Sequence, residues 1–202
     1  MTLPTTNHQP STTRRGFSLI EMMVVLTIFG IMTAVVLANF PAFRDKTALD
    51  LIAQEIATTI RQAQVYGIGT RAAGTESDYP SYGIYFDPTN SNPANFGLDE
   101  KSFVLYGDKG TTPGSYDSAD SLIEKFMIRG AANIEALQGC TGDCSLPTSL
   151  IDLNILFQRP YPEASFGAAA YGYVKIVIKS TRTEAGRAIE VWNTGQIVVK
   201  NI

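Results

Sequence analysis

Two cysteines, one histidine and a scatter of carboxylates make up the reactive inventory of this chain. Cys140 and Cys144 stand close together in C-T-G-D-C, and His8 is the single histidine. A structural zinc site needs about four nitrogen or sulfur ligands, and the body of the chain offers two cysteines and no imidazole. For the same reason a Ser-His-Asp or Cys-His arrangement is out of reach. The cysteine spacing is not the C-x-x-C of redox motifs. Asp108, Asp117, Asp120 and Glu124 fall in G-D-K-G-T-T-P-G-S-Y-D-S-A-D-S-L-I-E. Oxygen ligands in a glycine-rich loop are calcium chemistry. The spacing departs from an EF-hand, and solvated acidic turns have the same composition. Carboxylate pairs exist, but no context marks one as a general acid and base. This inventory points away from an enzyme and leaves calcium as the one alternative to no cofactor.

The remaining carboxylate of note is Glu21, which stands at the edge of a strongly apolar stretch. Residues 22–43 carry no charge. As a helix they extend roughly 33 Å at about 1.5 Å per residue, the thickness of a bilayer core at about 30 Å. A single span in lipid must be helical, because no other form satisfies its own backbone. A buried core helix is a poor alternative, since the run is apolar on every face. Arg14 and Arg15 precede it with no acid upstream, which keeps that end in the cytoplasm and puts everything after Phe43 outside. An acid at the centre of such a span costs about 2.5 kcal/mol or more, less near its edge, and is a functional candidate by default.

The segments around the span differ in kind. Residues 1–15 read M-T-L-P-T-T-N-H-Q-P-S-T-T-R-R, with no periodic apolar pattern, as expected of a processed or unstructured segment. After the span, Leu49, Ile52, Ile56, Ile60 and Ala63 recur at helical spacing with polar residues between them, an amphipathic helix on a core. It is expected to stop near Gly67 and Gly69. Pro41 is expected to kink or interrupt the combined helix. The rest reads as strands at residues 82–86, 102–106, 122–128, 152–158 and 173–179. A closing hairpin follows, 188–192 and 196–200, turned at Asn193-Thr194-Gly195. A helix followed by strands, without βαβ alternation, predicts an α+β fold with the helix packed on an antiparallel sheet.

The run Arg14-Arg15-Gly16-Phe17-Ser18-Leu19-Ile20-Glu21, continued by M-M-V-V-L-T-I-F-G-I-M-T-A, resembles the class III leader junction of type IV prepilins and pseudopilins. The resemblance implies cleavage after Gly16 by a membrane prepilin peptidase and methylation of the new N-terminus at Phe17. It also implies pairing of Glu21, fifth after the cut, with a cationic N-terminus, its own or a neighbour's, to set subunit register in a filament. Glycine suits the cut because it leaves an extended, unhindered backbone. An ordinary signal anchor leaves Glu21 unexplained. A secretory signal cut after Val36-Leu37-Ala38 would need an apolar core of 7 to 15 residues, shorter than this one.

The implied organisation is a cleaved leader 1–16, a transmembrane helix 17–43, an amphipathic continuation 44–66 and a β-rich head 67–202. The implied partners are other pilins or pseudopilins, the prepilin peptidase and an inner-membrane assembly platform. The expected location is a single-pass inner membrane, then an extracytoplasmic filament. In the oxidising compartment outside, Cys140 and Cys144 form a disulfide. Phe157-Gln158-Arg159-Pro160, the strand at 173–179 and the closing hairpin look like the H-type minor-pseudopilin branch.

The other role open to such an anchor is display of a tip module, an adhesin or a DNA-uptake head. The chain has 16 basic and 19 acidic side chains. Loss of residues 1–16 removes Arg14 and Arg15 and leaves 14 against 19, a mildly acidic mature protein. Nucleic-acid binders normally carry a basic footprint, and Arg182 with Arg187 is the best local candidate. Tyr79, Tyr82, Tyr85, Phe86, Phe96, Phe103, Tyr106 and Tyr116 could line a surface, or fill a core as strand residues do.

Overall fold

The computed structural model describes residues 16–69, 81–91, 97–109, 116–142, 144–167 and 170–202. The chain divides into two compact units, Met1–Pro41 and Ala42–Ile202. One helix, α1 (Leu19–Ile68), runs through the division.

In the first unit, the described residues are Gly16 to Ser18, which are not helical, and the start of α1. Their large apolar side chains are exposed, from Phe17 and Leu19 to Leu37 and Phe40. The segment is long and apolar enough to cross a membrane and buries nothing of itself. Its polar side chains bond to their own helix. Thr27 Oγ1 donates to Met23 O at 2.8 Å, Thr33 Oγ1 to Phe29 O at 2.8 Å, and Asn39 Nδ2 to Val35 O at 3.0 Å. Back-bonding of this kind is how hydroxyls and amides are accommodated where no water reaches. α1 continues through Pro41, so of the expected kink or interruption the interruption is absent. The missing N–H leaves one carbonyl without its ladder partner, and helical residues on both sides keep the turn.

The second unit begins with the amphipathic part of α1 and holds ten strands among the described residues. They are β1 (Ser81–Phe86), β2 (Ser102–Asp108), β3 (Ser121–Met127), β4 (Ala132–Cys140), β5 (Thr148–Leu150), β6 (Leu153–Gln158), β7 (Ala164–Ser165), β8 (Tyr173–Ser180), β9 (Gly186–Trp192) and β10 (Ile197–Asn201). The expected α+β class holds, but the strands form two five-stranded sheets, ordered β3-β2-β1-β6-β7 and β10-β9-β8-β4-β5. Every pairing is antiparallel.

Leu49, Ile52, Ile56 and Ile60 of α1 share one core with Ile84, Phe103, Ile155 and Phe157 of the first sheet and Ile176, Ile178, Ile189 and Val191 of the second. Each such side chain contributes about 1.5–3 kcal/mol by leaving water. The first sheet is covered on its other face as well, by a cluster of Tyr85, Leu98, Val104, Tyr106, Tyr116 and Leu156. That double burial is why β1 and β2 read as unbroken apolar runs rather than alternating ones. The two sheets are joined where the N–H of Ala164 in β7 donates to Asn193 O at 2.9 Å, just past β9. The closing hairpin turns as expected. Gly195 has φ 84°, its N–H donates to Trp192 O at 2.8 Å, and Trp192 N–H donates to Gln196 O at 2.8 Å.

Candidate functional site

Among the described residues nothing crowds the junction at Gly16. A side-chain carbon placed on Gly16 would meet nothing within 4 Å, and Phe17 is 79% exposed. The backbone from Gly16 to Ser18 is free of helical structure, and α1 begins at Leu19. Met22 N–H donates to Ser18 O at 3.2 Å, which makes Ser18 the residue that starts the helix. Serine is among the preferred residues there, because its hydroxyl accepts from the first free N–H groups. Ser18 and Glu21 stand at the S-x-x-E spacing of a capping box, a helix-start signal that the sequence reading passed over. Glu21 lies in the first turn of α1, where the positive end of the helix dipole favours a carboxylate.

Around this junction the chemistry is sparse. Thr27, Thr33 and Asn39 are satisfied within α1, and Glu21 is the carboxylate at the head of a charge-free run. What the arrangement offers is an accessible extended peptide at Gly16–Phe17, followed by a helix carrying one acid in its first turn. Arg14, Arg15 and His8 lie outside the described residues.

In the head, Cys140 ends β4 and is disulfide-bonded to Cys144, with their Cα atoms 4.9 Å apart. Cys144 takes a positive φ of 60°, which closes the five-residue loop.

Each of the acidic residues named as calcium candidates has its own place in the fold, and Asp108, Asp117 and Asp120 are close enough to feel one another's charge. Ser81 Oγ donates to the buried Asp108 at 2.9 Å. Asp120 accepts from the N–H of Lys109 at 3.0 Å and of Asp117 at 2.9 Å, pinning the ends of the segment between them. Asp117 in turn accepts from Ala119 N–H at 2.7 Å. Glu124 lies on the edge strand β3. Burial raises the Asp120 carboxyl above its ordinary range against those two hydrogen bonds, and the charges of Asp117 and Asp108 add to the rise. Among the described residues no three of His, Cys, Asp or Glu are grouped to hold a metal. Residues 110–115 of the same segment lie outside the described ones.

Tyr82, Tyr85, Phe86, Phe103, Tyr106 and Tyr116 are buried, and they fill core rather than line a surface. Tyr116 packs on Tyr85 and Tyr106 with ring centres 4.9 and 4.6 Å away. Burial raises both the Tyr106 and the Tyr116 hydroxyls. Tyr79 and Phe96 lie outside the described residues. Of the two arginines weighed for DNA, Arg187 is turned inward. Its Nε donates to Asp50 of α1 and its Nη1 to Gly186 O at 2.8 Å, leaving the side chain 11% exposed. Its charge is committed to fixing the helix on β9, which corrects its nomination as a phosphate contact. Arg182 is exposed.

No curated protein and no solved structure matches the chain. The model of the prokaryotic N-terminal methylation motif matches residues 11–37. Those residues contain the open Gly16–Phe17 peptide, the Ser18 helix start and Glu21, and they end within the apolar part of α1. The N-terminal segment of this protein therefore carries the prokaryotic N-terminal methylation motif, at the start of a helix long and apolar enough to cross a membrane.

Proposed function

We propose that this protein is a structural subunit of a type IV pilus or a type II secretion pseudopilus. It is cut after Gly16 by prepilin peptidase, methylated at Phe17, and drawn from the inner membrane into a filament by an assembly platform. The match of the methylation motif over residues 11–37 carries this reading. The unhindered Gly16–Phe17 peptide and the first-turn position of Glu21 support it. Glu21 is then the group that meets a cationic N-terminus, which would otherwise be costly to bring into an apolar bundle. The two arginines of the leader hold the uncut end on the cytoplasmic side. The head faces the oxidising side, where its disulfide persists. The Phe157-Gln158-Arg159-Pro160 run at the end of β6, the strand at 173–179 and the closing hairpin favour the H-type minor branch within this class.

Mass spectrometry of the N-terminus from membranes of a host with prepilin peptidase tests the reading. The expected product begins at methylated Phe17. A product beginning at Asn39, the position after a secretory-type cut, overturns it.

A further inference from the structure

The second sheet ends on an open strand at each side. Among the described residues β10 is paired through β9 alone and β5 through β4 alone. An open edge is a row of free backbone donors and acceptors, and native chains guard such rows with bulges, prolines or outward lysines. β10 has neither a proline nor a register shift. Its one charge, Lys200, is drawn back over the sheet, with Nζ 2.7 Å from Oε2 of Glu190 on β9. β5 carries no charge. Exposed apolar side chains stand beside both edges. Leu146, 90% exposed, and Ile151 flank β5, and Ile202 follows β10. Apolar surface next to unpaired backbone points to strand addition by a partner.

Strand direction selects that partner. The sheet has five strands and every neighbouring pair is antiparallel, so β5 and β10 run the same way. The amphipathic part of α1 runs against both. Its Asp50 meets Arg187, opposite Asn201 at the end of β10, and its Gln64 meets Gly195 O just before β10 begins. Copies inserted into one membrane by the same end of α1 hold that helix in one direction. Antiparallel pairing of β10 with β10 reverses it. Parallel pairing of β10 with β10 turns one sheet over, and sets the lysine-bearing face of one copy beside the core face of the other. Pairing of β10 with β5 of the next copy does neither. The row Val198, Glu190, Lys175, Gln138 and Ser149 crosses the sheet from edge to edge, on the face opposite the core residues Ile176 and Ile189. A copy with its β5 beside β10 continues this row, with core face beside core face. We propose that the open edge of β10 takes the β5 edge of a second copy standing in the same membrane, joining two sheets into one by parallel strand addition. Such a head-to-tail contact repeats along a helix when it does not close into a ring. The inference rests on the reading of this chain as an anchored subunit inserted in one direction.

Cysteine pairs test the contact, since no free cysteine stands among the described residues. Neighbouring strands lie about 4.8 Å apart, a separation that a disulfide bridges. The full chain carrying Ser149→Cys and Val198→Cys is produced in membranes, oxidised with copper phenanthroline and run without reductant. The expected result is a ladder of dimers and longer species, with about tenfold more dimer than either single variant gives. A mixture of the two single variants is expected to give dimers and no ladder. Ser149→Cys with Thr194→Cys, the second probe lying on the exposed hairpin turn, controls for random encounter and is expected to stay monomeric. A membrane-bound double variant that stays monomeric overturns the edge contact and leaves the anchor reading standing. Dimers from Val198→Cys alone, or equal linking through Thr194→Cys, do the same. A chain absent from the membrane fraction overturns both.

Discussion

The side-chain amide of Gln64 in α1 donates to Gly195 O at 3.2 Å and to Pro162 O at 2.9 Å. One residue of the helix thereby holds the turn of the β9–β10 hairpin and the loop between β6 and β7. Gly195 is confined there by its positive φ of 84°, and a side-chain carbon on it would overlap Pro162 O and the Gln64 amide. Gln64→Ala is expected to cost about 1–2 kcal/mol through two lost hydrogen bonds. Gly195→Ala is expected to cost more, since strain and overlap add. Thermal denaturation checks both, with a melting shift of about 2–4 °C per kcal/mol for a chain of this size.

Gly67, in the last turn of α1, lies against β6. A side-chain carbon there would stand 2.5 Å from Phe157 O and 2.8 Å from Phe157 Cβ. Alanine normally improves a helix by about 1 kcal/mol over glycine. Here the overlap is with backbone, which cannot swing aside, so Gly67→Ala is expected to destabilise the head by about 1–3 kcal/mol. Urea titration showing a lowered midpoint at unchanged slope is the check.

The junction separates two roles. Gly16→Val puts a β-branched residue at the cut and is expected to leave the precursor uncleaved, seen as a retained leader on mass spectrometry. Glu21→Gln keeps the shape of the first turn and removes the charge. It is expected to be processed and anchored normally and to drop out of sheared filament fractions. Normal filament incorporation of Glu21→Gln would show that the charge does not set subunit register.

Asp120 makes the stability of the head depend on pH. Its carboxyl is raised in the fold by burial, so the native state holds that proton more tightly than the unfolded chain does. Stability from this group is therefore present at low pH and is lost as pH rises from the ordinary aspartate range through the raised value. Asp120→Asn removes the titration. Wild type is expected to lose stability relative to Asp120→Asn as pH rises above the ordinary aspartate range, measured as the difference in melting temperature across a buffer series. Asp50 works in the other direction. The hydrogen bond and charge of Arg187 hold it low, so its contribution fades as pH falls.

The Cys140–Cys144 disulfide closes a loop of five residues. Loop-closure entropy for so short a ring gives about 2 kcal/mol. The double variant Cys140→Ser, Cys144→Ser is expected to melt several degrees lower. A reductant is expected to lower the wild type by a similar amount and to leave the variant unmoved.

Most of the strands were legible in the sequence. Those at 82–86, 102–106, 122–128, 152–158, 173–179, 188–192 and 196–200 all overlap observed strands. β4 was not. Ala132, Ile134, Leu137 and Cys140 are its buried apolar positions, spaced two, three and three apart, because the register shifts between Ile134 and Ala136. A bulge of this kind breaks the period-two signal. Its Ala, Glu, Leu and Gln are also good helix formers. β5 and β7 are three and two residues long, too short for any periodicity to register.

The sequence by itself determined the methylation motif, the apolar half of α1, its amphipathic face, the disulfide loop and the Asn193-Thr194-Gly195 turn. Each is set by composition or spacing within one short segment, and lipid, a short loop or a tight turn responds to that alone. Only the tertiary structure decided that the strands divide into two sheets around one helix and that Gln64 clamps both the hairpin and the β6–β7 loop. It also decided that Arg187 serves Asp50 and that Ser149 and Val198 end one row across the second sheet. Arg187 and Asp50 are 137 positions apart, and pairings over such distances depend on which faces bury together, which no local pattern encodes.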